Sequence, residues 1–247
     1  MYLTIQAIVL RVTDYNDRDA LLTVLSRDRG LLTVKARGLR RKNSPLIAPC
    51  QLLAYSDFTL FEYRDMYTIN EAASIELFQG LRRDLTKLSL GTYFAQVAQV
   101  VSQEDIPDPE LLQLVLNCLF GLSKLGICED KVKAVFELRT ACIAGYLPDL
   151  SGCGICGREE GLRLDLSTGL MTCGGCFDTE EHGIRLPVNE AMLQAMRYIA
   201  ASDPKRLFAF ELGDENLRAL SALTEAYLTT QFERGFSTLD FYKSLYI

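Results

Sequence analysis

The period of apolar positions along this 247-residue chain changes once, near residue 80. Before that point apolar residues come in short runs, as strands do. Leu3–Thr13 is rich in Ile, Val and Leu, and Ala20–Leu25 follows. Arg27-Asp28-Arg29-Gly30 is a short polar turn closed by Gly, with Leu31–Arg37 directly after it, which predicts a hairpin. In this third strand Leu32, Val34 and Ala36 share one parity and Thr33, Lys35 and Arg37 the other. Its basic side chains therefore share one exposed face. Gln51–Tyr63 and Met66–Leu77, separated by Arg64-Asp65, complete five strand candidates. That number over about 80 residues predicts a small closed barrel of the oligonucleotide-binding (OB) kind, which uses the face of strands 2 and 3 for nucleic acid. An SH3-like barrel fits the strand count nearly as well.

From residue 81 the steps become three and four. Leu81, Leu85, Leu88, Phe94, Val97 and Val101 predict one helix face. Asp108-Pro109-Glu110 has the form of a helix start, and Leu111–Leu125 is apolar nearly all round, which predicts a buried central helix ended by Gly126. A third helix is expected from Asp130 to Ala144, with Val132, Val135, Phe136 and Ile143 inward and Gly145 and Pro148 as terminators. Two more are expected near Asn189–Ala201 and Asp214–Arg234, each begun by a capping residue. The aromatic-rich Phe236–Ile247 is expected to pack back on this helical bundle. The expected class is therefore α+β: an OB barrel over 1–80 and a helical domain over 81–247.

Composition changes this picture little. The chain is 49% hydrophobic and 23% charged, with a net charge of −6 and a pI near 5.0. That excludes a uniformly basic coat. The charge is uneven: residues 1–80 carry a net +1 and residues 81–247 a net −7. No secretory leader and no membrane-length apolar run are read, so a reducing cytoplasm is expected. Cys50, Cys118, Cys128 and Cys142 lie in apolar surroundings and read as small core residues.

Two stretches carry chemistry. Lys35, Arg37, Arg40, Arg41 and Lys42 put five cations into eight residues with no acid, running from the outer face of strand 3 into a turn-forming loop. Such a run is either a solvated loop or a track for a phosphate backbone. Tyr55, Phe61 and Tyr63 share one parity of the fourth strand, where they either stack bases or form barrel wall. The second stretch is Cys153-Gly154-Ile155-Cys156, sixteen residues, then Cys173-Gly174-Gly175-Cys176. Two C-x-x-C pairs at that separation have zinc-ligand spacing, and four thiolates fill a tetrahedral ion with no site left for water. One structural Zn²⁺ is expected, braced by glycines that bend the backbone, with Leu162–Leu166 and Leu170–Thr172 as a hairpin between the knuckles. Reduced buried cysteines and a thiol-redox pair are the alternatives. Neither phosphate-binding glycine motif occurs, and the one histidine, His182, sits in an acidic loop six residues after the last knuckle. Binding is therefore expected in place of catalysis.

In this order the features resemble the RecO family of bacterial recombination mediators. The resemblance is carried by Ala7-Ile8-Val9-Leu10, Asp14-Tyr15-Asn16-Asp17-Arg18-Asp19, Thr23-Val24-Leu25-Ser26 and Gly30 through Gly38. It continues in the basic loop ending in Ser44, Phe136-Glu137-Leu138, Gly145-Tyr146-Leu147-Pro148 and the two knuckles. It implies an N-terminal OB-fold followed by a helical domain carrying a zinc ribbon near 150–180. It implies binding to single- and double-stranded DNA, annealing of complementary strands, and action with RecR to load RecA onto DNA covered by single-strand-binding protein (SSB). Lys35, Arg37, Arg40, Arg41 and Lys42 take the DNA-binding role on this resemblance. The acidic C-terminal tail of SSB is expected on the helical domain, with Lys131, Lys133 and Arg139 as rim cations; a solvated helix face is the alternative. An RNA-binding protein of similar build and a structural adaptor are the competing functions.

Overall fold

The structure, a computed structural model of the chain, describes residues 1–64, 66–176 and 183–246. Its strands are β1 (Tyr2–Asp14), β2 (Ala20–Ser26), β3 (Gly30–Ala36), β4 (Tyr55–Tyr63), β5 (Met66–Glu76), β6 (Leu162–Asp165), β7 (Met171–Cys173) and β8 (Arg185–Val188). Its helices are α1 (Leu85–Val101), α2 (Pro109–Phe120), α3 (Glu129–Ile143), α4 (Glu190–Ala201), α5 (Asp214–Gln231) and α6 (Ser237–Ser244). The chain separates into two compact units, residues 1–126 with 236–247, and residues 127–235.

In the first unit β1 to β5 close into a barrel of order β1-β2-β3-β5-β4, an OB-like arrangement. β1 pairs antiparallel with β2 on one side and β4 on the other, and a register shift between Val9 and Arg11 bends it. A bend of this kind lets one strand serve both sides of a small barrel. Strict alternation fills the interior: Ile5, Ala7 and Val9 meet Leu22, Val24, Leu32, Val34, Phe58, Leu60 and Ile69. Leu32, Val34 and Ala36 point inward and Thr33 and Arg37 outward, as the parity of β3 requires.

The fourth strand begins at Tyr55, four residues later than its apolar run suggested. Gln51–Ala54 are turns, and Leu53 takes a left-handed backbone (φ 64°). There its N–H donates to Val9 O at 2.8 Å, while Val9 N–H donates to Ala54 O at 2.9 Å, beside the bend in β1. The apolar side chain of Leu53 is buried for packing and not for strand pairing.

The turn at Gly30 (φ +63°) requires glycine, since a Cβ there would stand 2.0 Å from Ile106 O. Leu31 N–H donates to Gln103 O at 3.3 Å, so the barrel's hairpin is fastened to the segment between α1 and α2. α1 starts as its capping residue dictates, with Asp84 accepting from the N–H groups of Thr86 and Lys87. Its buried set is wider than a three-four stripe and includes Leu90, Gly91, Tyr93, Phe94 and Val97, while Leu85 is exposed. The reason is α6. This terminal helix packs on α1, with Phe236 edge-on to Tyr93 at 5.6 Å and Thr238 hydrogen-bonded to Gln96. The C-terminal stretch thus joins the unit that contains the barrel. α2 also stops early, at Phe120, and a π-helical turn over Gly121–Leu125 leads to Gly126.

In the second unit α3 is flanked by α4 and α5 and is buried nearly all round, from Val132 to Ala141. α4 is capped by Asn189, which accepts from Met192 N–H, whereas α5 begins after Gly213 with no side-chain cap. A three-stranded sheet of order β7-β6-β8 carries the cysteine stretch. β6 and β7 form the expected hairpin, Leu162 opposite Cys173 and Leu164 opposite Met171. β8, with only four residues and a Pro, carried too little pattern to be read as a strand. His182 lies outside the described residues.

Candidate nucleic-acid interface and metal centre

The basic run leaves the end of β3 and enters a chain of turns. The β1–β2 loop holds it in place. Asp19 accepts from Gly38 N–H at 2.8 Å and pairs with Lys35 at 3.4 Å. The Gly38 N–H, then Asn16, and then Lys35 hold the Asp19 carboxyl below the usual carboxylate range, against a smaller opposing effect of burial. Arg40 reaches back in the same way, to Asp14 at 3.2 Å and to Asn16 O at 3.0 Å. Lys35 also stands over the Tyr15 ring, 4.4 Å from its centroid.

The five cations are therefore unequal. Lys35 is half-buried and held by Asp19, and Arg40 is exposed but paired. Arg37, Arg41 and Lys42 are exposed and make no ion pair among the described residues. Sequence reasoning missed the two acids that fasten this loop, because Asp14 ends β1 and Asp19 lies in the turn after it. It also missed Arg18, which is exposed and whose carbonyl accepts from Arg40 N–H at 3.1 Å. On β4, Phe61 and Tyr63 face outward, while Tyr55 is half-buried and donates to Gln6 at 3.3 Å.

The four cysteines of the double C-x-x-C pattern converge. The sulfurs of Cys153, Cys156, Cys173 and Cys176 lie within 4.8 Å of one another, and the Cys156–Cys173 pair is 3.6 Å apart. Tetrahedral Zn²⁺ with bonds of about 2.3 Å places thiolates roughly 3.8 Å apart, so this cluster fits such an ion. The thiol chemistry agrees. N–H groups of Cys156, Cys173 and Ile155 aim at Cys153 and bring its thiol down to about 6. Cys176, sharing protons with Cys156 and Cys173, is pushed up to about 12. The Gly175 N–H lowers Cys173 as well, so the backbone favours two of the four thiolates.

The glycines that shape this cluster are not those inside the knuckles. Gly154, Gly174 and Gly175 have no left-handed backbone; Gly152 (φ +124°) and Gly157 (φ +74°), on either side of the first knuckle, do. They allow Cys153 N–H to donate to Arg158 O, and Gly157 N–H to Cys153 O, each at 2.8 Å. Gly154 N–H donates to Met171 O at 2.9 Å and so fixes the first knuckle to β7. Glu159 clasps Arg197 of α4 with two bonds of 2.9 and 3.1 Å, and Gln231 of α5 donates to Leu166 O at 2.7 Å.

Of the three cations expected at a partner-binding rim, Lys133 is buried and Lys131 and Arg139 are half-buried. Lys133 is 3% exposed and pairs with Glu137 at 3.1 Å and Glu225 at 2.9 Å, with a further bond to Ser221 O. Burial pulls its ammonium down, but Glu137 and Glu225 outweigh that and hold it above the usual lysine range. This corrects the rim expectation for Lys133: its helical position hid an i,i+4 partner and a second acid from α5. Lys131 donates to Phe210 O and sits over the Phe210 ring, and Arg139 donates to Ile199 O and Ala200 O at the end of α4. Both brace the second unit. Among the other cysteines, Cys50 and Cys118 are buried, but Cys128 is exposed at the start of α3 and Cys142 half-buried, which corrects their reading as core.

A small barrel bearing a basic loop, followed by helices with an inserted four-thiol sheet able to hold a metal ion, defines a modular protein with two candidate sites. Comparison with known proteins narrows this class. The Recombination protein O N terminal model matches residues 1–78 and the Recombination protein O C terminal model residues 82–240. The DNA repair protein RecO of Acetivibrio thermocellus is 32% identical over 246 residues, 99% of this chain and 97% of that protein. Those of Alkaliphilus metalliredigens and Bacillus subtilis are each 26% identical, over 99% and 90% of this chain and 100% and 86% of theirs. The chain belongs to the RecO family of DNA repair proteins. No helix among the described residues is long and apolar enough to cross a membrane.

Proposed function

We propose that this chain is a DNA-binding recombination mediator of the cytoplasm. It binds single- and double-stranded DNA through the barrel, anneals complementary strands, and acts with RecR to load RecA onto SSB-coated single strands. The division of tasks falls near residue 80, with DNA on the N-terminal side and protein partners, including the SSB tail, on 81–247. One observation carries the DNA reading: Arg37, Arg40, Arg41 and Lys42 are exposed together at one end of β3, in a chain whose net charge is −6. A local cluster of this kind follows a phosphate backbone by releasing its counterions. The four cysteines hold one zinc ion that stabilises the second unit and takes no part in binding chemistry. No bond need be made or broken for this activity, so the role is not enzymatic.

A strand-annealing assay tests the reading. Complementary labelled oligonucleotides, bare or covered with SSB, pair faster in the presence of the protein. Annealing no faster than the spontaneous rate in both conditions refutes it.

A further inference from the structure

The barrel carries a second outward feature, beside the basic loop. Register places Tyr2 opposite Phe61, Phe61 opposite Thr68, and Thr68 opposite Lys35. These four residues form one cross-strand row over β1, β4, β5 and β3. Three strand spacings separate its ends, about 14 Å. The row begins with two aromatic rings and ends on the face of the basic run. Tyr63, opposite Met66, widens the aromatic end.

The rings are not packed away. Tyr2 is 61% exposed, Tyr63 59% and Phe61 40%, and Tyr2 meets Phe61 at 5.2 Å with a 53° tilt. Together they border a cleft of about 480 Å³, which Arg37 and Arg64 also line. That is within the usual range of ligand-sized clefts, about 300–1,000 Å³. The Arg64 guanidinium lies 5.2 Å from the Tyr63 ring centroid, and no carboxylate lines the cleft among the described residues. Exposed aromatic surface grouped in this way marks a binding site. Two guanidinium groups at its edge make it a site for something apolar and flat that is joined to negative charge. Arg37 belongs both to this cleft and to the basic run, so one strand can occupy both.

We propose that this cleft seats an unpaired nucleobase of single-stranded DNA on the Phe61 and Tyr63 rings, with Arg37 and Arg64 against the neighbouring phosphates. This deepens, and rests on, the DNA-binding reading of the adjacent loop. A duplex hides its base faces within the stack and has none to offer. The cleft therefore favours single strands, while the basic loop binds both forms.

The test uses the full chain, a labelled oligothymidine strand and a labelled hairpin duplex, with anisotropy at one fixed salt concentration. Phe61→Leu and Tyr63→Ala each lower single-strand affinity by about tenfold and leave duplex affinity unchanged. A strand in which abasic sites replace the thymidines binds the native protein that much more weakly, and this readout needs no variant to fold. Equal affinity of the native protein for abasic and thymidine strands overturns the proposal, as does equal loss of both DNA forms in the aromatic variants. Arg41→Ala/Lys42→Ala separates the two readings. If it weakens both DNA forms while the aromatic variants bind normally, only the base seat falls. If it weakens neither, the DNA-binding reading falls with it.

Discussion

Replacing Arg41 and Lys42 by alanine removes two exposed cations that make no ion pair among the described residues. Their side chains end in solvent, so the barrel core and the Asp19–Gly38 clasp should stand. If each neutralises one phosphate, the number of released counterions falls by about two. The slope of log affinity against log salt then falls by about 1.4 for single strands and about 1.8 for duplex. Across a fourfold rise in salt, from about 50 to about 200 mM, the native advantage over the variant on single strands shrinks about sevenfold. Anisotropy titrations at four salt concentrations measure this directly. Arg40→Ala should lower the slope by less than one such residue's share, since Arg40 trades Asp14, 3.2 Å away, for any phosphate it meets. A double variant with the native slope, or one weakened equally at all salt concentrations, refutes the assignment of these residues to phosphates.

Three further outcomes follow from the other sites. Metal analysis of protein purified under reducing, metal-replete conditions finds one zinc per chain; a thiol-directed mercurial releases it and lowers the melting temperature of the cysteine-bearing unit, while the DNA salt slope is unaffected. Lys133→Met strands the Glu137 carboxylate, whose side chain is 0% exposed, and costs about 3–5 kcal/mol by urea denaturation. Lys133→Met/Glu137→Leu recovers much of that loss, and a double variant no more stable than the single refutes the buried-pair account. The Asp19 carboxyl is held below its ordinary 3.8, so its clasp on Gly38 stabilises the fold above that pH and is lost as pH falls through the lowered value. The Gly38 amide shift, followed by NMR, titrates with a midpoint below 3.8, and a midpoint at or above it would count against the clasp.

The barrel and the thiol cluster were legible in the sequence because each follows from local order. β3 alternates strictly, so Lys35 and Arg37 had to leave the core together. Four cysteines in two C-x-x-C pairs needed only a hairpin of fixed register, Leu162 opposite Cys173, to meet. What stayed hidden depends on partners distant in sequence. Tyr2 and Phe61 become neighbours only when β1 closes on β4. Gln51–Leu53 look like strand because burial and strand pairing leave the same apolar mark. Lys133 looks like a surface cation until α5 brings Glu225 to within 2.9 Å.

The last case bears on how charge should be read in this family member. Formal charge gives residues 1–80 a net +1 and residues 81–247 a net −7, a modest contrast for a protein expected to hold DNA at one end. Pairing sharpens it. In the second unit Lys133 is matched to Glu137 and Glu225, Arg185 to Asp165 and Arg197 to Glu159, while Lys131 and Arg139 are held by backbone carbonyls. These five cations brace helices and sheet, and the acids left outside such pairs set that unit's outer field. Around the basic loop the matched pairs are Lys35–Asp19 and Arg40–Asp14, and they leave Arg37, Arg41 and Lys42 exposed. A polyanion responds to cations that can exchange water for phosphate, not to a total. By that measure the loop after β3 offers three such cations, Arg37, Arg41 and Lys42, within six residues. The same measure explains why Lys133, conspicuous in the sequence beside Phe136, is a poor site for an acidic partner: it is already matched to Glu137 and Glu225.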